Sequence, residues 1–170
     1  MSKIPSQIVD FSAYNGSDKL IGHGAEVTLP TITSKTFTAE LPAGDIDLPG
    51  MRTENIEMEI PFNLFDAEAA ATISLVDTTT IILRGSAQKV DTSTHNFSYA
   101  GVKVTAKGFA KEIELGTLKR SDKMDSKITL TLTYIKVQDG DGNVFIEIDK
   151  LNGTYKVNDE DVRSGISKYL

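Results

Sequence analysis

Residues 128–137, ITLTLTYIKV, alternate between apolar and hydroxyl side chains. Ile128, Leu130, Leu132 and Tyr134 fall on one side, and Thr129, Thr131 and Thr133 on the other. A strand turns successive side chains to opposite faces, so this pattern predicts a half-buried strand with a hydroxyl-lined outer face. Several further segments follow the same rule, and none supplies a catalytic constellation. The chemistry of such a chain lies in its surfaces and edges, which points to assembly rather than reaction.

The segment ENIEMEI, residues 54–60, sets Ile56, Met58 and Ile60 against Asn55, Glu57 and Glu59, a strand with one acidic face. Residues 79–88 read as another strand. Residues 99–114 read as a long one, with Val102, Val104 and Ala106 opposite Lys103, Thr105 and Lys107. Gly108 within it marks a bulge or a close backbone approach. Polar turns separate these runs at 91–96, 139–143 and Asn152-Gly153. Residues 26–37 are β-branched and strand-like, with Pro30 confining them to a sheet edge or a bulge. Residues 40–52 carry Pro42, Gly44, Pro49 and Gly50 and are expected to project as an extended loop. At about 13 residues, that is a length connections reach when they have a task. One helix is expected over 66–77, because alanines favour it and Asp66 and Glu68 suit the positive end of its dipole. The fold class is mainly β: an antiparallel sandwich or partly open barrel with one central helix and a projecting loop. The 170 residues suit a single domain, with an N-terminal arm over 1–20 and a polar C-terminal tail over 158–170.

Composition narrows the function. With 18 basic against 24 acidic residues the chain carries a net charge of −6. That disfavours a nucleic-acid binder, which needs a basic surface, and does not exclude a protein that lets DNA pass without sticking, a purpose that repulsion of like charge would serve. The absence of cysteine excludes disulfides, thiolate metal sites and thiol nucleophiles. No apolar leader is visible near Met1, and no run approaches the ~18 apolar residues of a membrane span, so the expectation is a cytoplasmic product without a membrane span.

Each candidate for chemistry has a plainer account. Asp139-Gly140-Asp141-Gly142-Asn143 suggests a calcium loop, but an EF-hand needs Gly at its sixth position and Glu at its twelfth, where Val144 and Lys150 stand. A hairpin turn fits better. His23 and His95 lack metal-ligand spacing and read as exposed loop residues. Glu57 with Glu59, and Glu112 with Glu114, could do acid–base work only in a cleft, and a solvated or lumen-lining face suits them better. Lys103, Lys107 and Lys111 share a strand face, which is expected to pair with an acidic face such as that of Glu57 and Glu59. No catalytic residue, metal or cofactor is assigned.

Taken in order, the segments resemble the major tail tube protein of contractile-tailed bacteriophages and of related phage-tail-like bacteriocins. The carrying residues are Val27–Pro30 (VTLP), the loop Ala43 to Met51, the strand and helix that follow, and above all Gly108-Phe109-Ala110-Lys111-Glu112-Ile113-Glu114-Leu115-Gly116. That last run is similar to the family's G-x-x-K-E-[IV]-D-x-G. Tyr134-Ile135-Lys136, Ile146 to Asn152 and Val157 to Asp161 match later motifs in the same order. Glu114 and Asp159 depart from the usual Asp and Gly, and the loop lacks a Gly-Gly pair.

The resemblance implies a non-enzymatic virion structural protein, made in the host bacterial cytoplasm and built into the tail tube. It implies hexameric rings, stacked inside a contractile sheath as a hollow conduit for DNA or effectors. Its partners would be itself, the sheath protein, and tape measure and baseplate proteins, with DNA passing the lumen without specific binding. Asn55, Glu57 and Glu59 are expected to face the lumen, with Thr129, Thr131 and Thr133 as further candidates. Asp45, Ile46, Leu48 and Met51 are expected to make ring-to-ring contacts. Rival readings are a monomeric β-sandwich module binding carbohydrate, an enzyme using Glu57 and Glu59, and a secretion-system tube protein. The lack of Trp and only 7% aromatic residues count against the first rival.

Overall fold

The computed structural model describes residues 2–20, 23–74 and 76–170. Its strands are β1 (Lys3–Asn15), β2 (Asp18–Leu20), β3 (Ser34–Leu41), β4 (Gly44–Thr53), β5 (Glu57–Phe62), β6 (Thr79–Asp91), β7 (Phe97–Glu114), β8 (Ser126–Asp139), β9 (Val144–Asp149), β10 (Thr154–Val157) and β11 (Glu160–Asp161). Two short helices, α1 (Ala67–Ala71) and α2 (Ser164–Ser167), complete it. The described strand pairs are antiparallel. Nine strands form one sheet in the order β11-β10-β9-β8-β7-β6-β1-β2, with β5 added on β8, while β3 and β4 pair only with each other.

The sheet curls. Strand β8 holds β7 along one side and, along the other, β5 beside residues 126–131 and β9 beside 134–138. At the far flank, His23 bridges Phe62 and the Gly24 N–H donates to Pro61 O at 2.7 Å. These contacts link the end of β2 back toward β5, giving the partly open, mainly antiparallel architecture that the alternation predicted. The concave side is the core. It takes Met58, Ile60 and Phe62 from β5, Ile81 and Leu83 from β6, Val104 and Ala106 from β7, and Ile128, Leu130 and Leu132 from β8. These are the apolar members of the alternating runs, and removing them from water is the main favourable term of the fold.

Two irregularities shape the longest strands. Gly108 lies where β7 passes so close to β8 that a Cβ would stand 2.2 Å from Thr131 O. Nearby, the register steps from Lys107↔Tyr134 to Gly108↔Leu132, leaving Thr133 as an extra residue. That bulge inverts the alternation beyond it. Ile135 therefore enters the core opposite Ile148, and Tyr134 lies on the polar side, donating to Glu147 Oε1 at 2.9 Å. The expectation that Tyr134 shares a face with Leu132 is corrected.

Other expectations are also revised. The helix is five residues long, not twelve, and Leu75 of its expected span lies outside the described residues. Asp66 caps its start, accepting from the Glu68 and Ala69 N–H groups at 3.1 Å. It ends because Thr72 donates its hydroxyl to Ala69 O and Ser74 Oγ accepts from Val76 and Asp77, local bonds that compete with a helical ladder. Residues 26–33 form no strand, although Val27 and Ile32 pack on the core. The segment 1–20 is largely strand β1. Two register shifts, between Pro5 and Gln7 and between Ile8 and Asp10, break the alternation that would have revealed it. The polar segment 158–170 contains β11 and α2.

Candidate assembly surfaces

The side of the sheet opposite the core carries the proposed lumen residues. Strand β5 aligns Glu57 with Thr131 and Glu59 with Thr129 on β8, so these four share one face. Asn55 extends the row, donating from Nδ2 to Glu57 Oε1 at 2.8 Å. The face is not bare acid. Lys111 on β7 forms an ion pair and hydrogen bond with Glu57, which holds the Glu57 carboxyl below its usual range and the Lys111 ammonium above its own. Lys127 lies 3.3 Å from Glu59 and 3.5 Å from Glu114, and its ammonium is likewise raised, chiefly by the hydrogen bond to Glu59. The predicted pairing of a β7 lysine with the Glu57 face is thus present within the subunit. Lys107 instead lies over the Tyr134 ring, 5.3 Å from its centroid.

The threonines do not behave alike. Thr129, between Glu59 on β5 and Glu112 on β7, is only 4% exposed. Its neighbours cover it, which removes it from direct contact with anything passing over the face. Thr131 is half-buried, and Thr133 sits at the bulge and donates to Lys107 O at 3.3 Å.

The expected loop over 40–52 is a β-hairpin. A two-residue connection, Pro42-Ala43, joins β3 to β4, and the register pairs Phe37 with Leu48, Ala39 with Ile46, and Glu40 with Asp45. Opposed residues share a face, so Phe37, Ala39, Leu41, Ile46 and Leu48 make one apolar surface. Thr38, Glu40, Asp45 and Asp47 make the other, where the Thr38 hydroxyl donates to Asp47 at 2.6 Å. Phe37 is 70% exposed, and Leu41, Ile46 and Leu48 are about half exposed. The four residues nominated for ring-to-ring contact therefore do not form one surface. Ile46 and Leu48 lie on the apolar side and Asp45 on the acidic side, while Met51 lines a cleft at the foot of the hairpin. Phe37 and Leu41 were missed, although their alternation with Thr36, Thr38 and Glu40 is visible in the sequence.

The turns are built on aspartates. Asp91 accepts from Ser93 N, Ser93 Oγ and Thr94 N at 2.6–3.1 Å, which pulls its carboxyl down to about 2. Asp139 accepts from Asp141 N, Asn143 N and Asn143 Nδ2, so the stretch that suggests a calcium loop is a hairpin turn whose leading carboxylate is already engaged. His95 occupies a left-handed conformation in the β6–β7 turn. His23 is half-buried against Phe11 rather than exposed. Among the described residues no three His, Asp or Glu gather as a metal site, and no helix is long and apolar enough to cross a membrane.

The tail tube protein of Escherichia phage P2 is 36% identical over 86 residues, a stretch covering 51% of this chain and 47% of that protein. The match thus spans about half the length of that curated relative. Two chains from cryo-EM structures of an extracellular contractile injection system, the PVC sheath/tube terminator and the PVC sheath-tube complex, both in the extended state, share the fold. They superpose with TM-scores of 0.53 and 0.54 at 15% and 14% identity, covering 79% of this chain and 96% and 91% of theirs. The sequence model of one family, the phage tail tube protein FII, matches residues 5–170, and the chain belongs to that family.

Proposed function

We propose that this chain is the structural subunit of the inner tube of a contractile phage or phage-like tail, without catalytic activity. Copies form hexameric rings, and rings stack into a hollow conduit for DNA or effectors, enclosed by a sheath and joined to tape measure and baseplate proteins. The observation that carries this reading is the β3–β4 hairpin, which stands apart from the main sheet with an uncovered apolar face. Two strands alone are marginal in water, so such a hairpin calls for another surface to cover it. The edge of β1 supports the same reading: among the described residues, 3–12 pair with β6 on one side, while β2 reaches only 13–15 on the other. An open edge of that length invites pairing with a second chain.

In this arrangement the Asn55, Glu57, Glu59 and Thr131 face lines the lumen. Because Lys111 and Lys127 neutralise much of its charge, it offers phosphates a hydrated, charge-balanced wall with few free cations. Such a wall lets a polyanion slide without specific binding. Negative-stain electron microscopy with sedimentation tests the proposal. Rings or hollow tubes of uniform diameter at high concentration, or growth from added baseplates or tube ends, are expected. A chain that stays monomeric even with baseplates and preformed tube ends present would overturn it.

A further inference from the structure

A polar cleft of about 530 Å³ lies at the foot of the hairpin, with Arg52 and Thr53 on β4 meeting Lys150, Gly153, Tyr155 and Arg163 from the other wall. It gathers cations. Lys150 Nζ donates to Glu54 O at 2.7 Å, and Arg163 Nη1 to Gly153 O at 2.8 Å. Desolvation first, and then the charge of nearby Lys35, hold the Lys150 ammonium below its ordinary range. Among the described residues, none of Lys35, Arg52, Lys150 and Arg163 forms an ion pair. The carboxylate in the cleft, Asp149, is already engaged by Leu151 N, Asn152 N and Asn152 Nδ2. Arg52, Lys150 and Arg163 line the cleft with Lys35 near Lys150, so positive charge exceeds that of Asp149 there, and on a chain of net charge −6 this forms a surface suited to an anion.

The other end of the same hairpin has the opposite imbalance. Glu40 and Asp45 are directly opposed on one face, with Asp47 next in line, and none of the three forms an ion pair among the described residues. Like charges opposed across two strands destabilise the pair. A cation between them would relieve that cost.

We infer that the cleft is the receiving site for the carboxylates at the hairpin tip of a second copy of this chain. The inference rests on the tube reading and specifies one contact within it. Tip and foot are separated by the length of β3, roughly 25 Å at strand rise, so a chain cannot fill its own cleft. Donor and acceptor are different surfaces, so each docked copy leaves one tip and one cleft free and the contact propagates in one direction. Such a contact can close a ring or extend a stack, and because the tube reading gives ring closure to the β1 edge, it assigns this contact to the stacking of layers. The charged contact also makes stacking weaken as salt screens the charges.

Charge reversal tests it in the full chain, with growth seeded on preformed tube ends. Glu40→Lys/Asp45→Lys reverses the tip, and Lys35→Glu/Arg52→Glu reverses the cleft. All four side chains are exposed and, among the described residues, none hydrogen-bonds to the rest of the fold, so each variant should melt as the parent does. Either reversal alone should cut pelletable tube by about tenfold or more, and combining both should restore it. Parent-level tube from a single-sided reversal, or no recovery in the combined variant, overturns the inference while leaving the tube reading intact. Failure of the parent chain itself to extend seeds overturns the tube reading instead.

Discussion

Gly108 shows how one atom can decide a strand. Its missing Cβ lets β7 pass β8, where a methyl would stand 2.2 Å from Thr131 O, a backbone atom that cannot swing aside. Gly108→Ala should therefore destabilise the fold by about 3 kcal/mol, read as a fall in the urea midpoint. Gly85 is the control. A Cβ there meets nothing nearer than 3.8 Å, so Gly85→Ala should leave the midpoint unchanged or raise it slightly. Equal losses at the two sites would refute the close-approach argument. Tyr134 gives the second prediction at this scale. Desolvation first, and then its bond to Glu147, push the phenol from 10.0 up to about 12. Because the folded value lies above the unfolded one, the group contributes stability that is complete below pH 10 and lost as pH climbs through 12. Ultraviolet titration of phenolate should show a late step near 12 that Tyr134→Phe abolishes; a profile unchanged by that substitution would refute the assignment. Gly108 is legible as a glycine inside an alternating run. The side taken by Tyr134 is not, because the Thr133 bulge exists only in the pairing with β7.

At the scale of elements, β5 and the β3–β4 hairpin are opposites built from similar alternation. Met58 on β5 is 1% exposed, whereas Phe37 on β3 projects into solvent. Met58→Ala should cost the free subunit about 3 kcal/mol, while Phe37→Ser should change its stability by less than ~0.5 kcal/mol. Chemical denaturation of the two variants measures both. A large loss from Phe37→Ser would mean that the hairpin face is covered within the subunit, contrary to the fold described. Strand β5 was readable because Ile56, Met58 and Ile60 alternate without interruption. The hairpin reads as a loop in the sequence because Pro49 and Gly50 interrupt its second strand, where the register shifts opposite Lys35. The helix is shorter than its composition predicts for a related reason. Alanine content favours continuation, but Thr72 and Ser74 spend their hydroxyls on local backbone groups and stop it at Ala71. Local propensity was visible; the competing side-chain bonds were not.

For the whole molecule, the informative asymmetry is between the two ends of the sheet. One end is the two-residue strand β11, and the other is the long outer edge of β1, with Ile4, Ile8 and Val9 more than half exposed. An edge of that kind favours association unless charge, proline or a covering element blocks it. Pro5 and two bulges blunt it only in part. In the tube proposed above, this edge meets a different surface of the neighbouring subunit, so that each copy both offers and receives an edge and the ring closes. Alternation along 128–137 revealed the sheet but not this edge, because which strand ends up outermost is a property of topology. Ile4→Lys/Ile8→Lys tests the role of the edge. Both side chains already face solvent, so the subunit should fold with an unchanged melting temperature while losing the ability to form rings. Sedimentation velocity should then show a single small species at concentrations where the parent chain assembles. Rings formed by the double variant as readily as by the parent would show that this edge is not an assembly surface, and would leave the hairpin as the surface on which association depends.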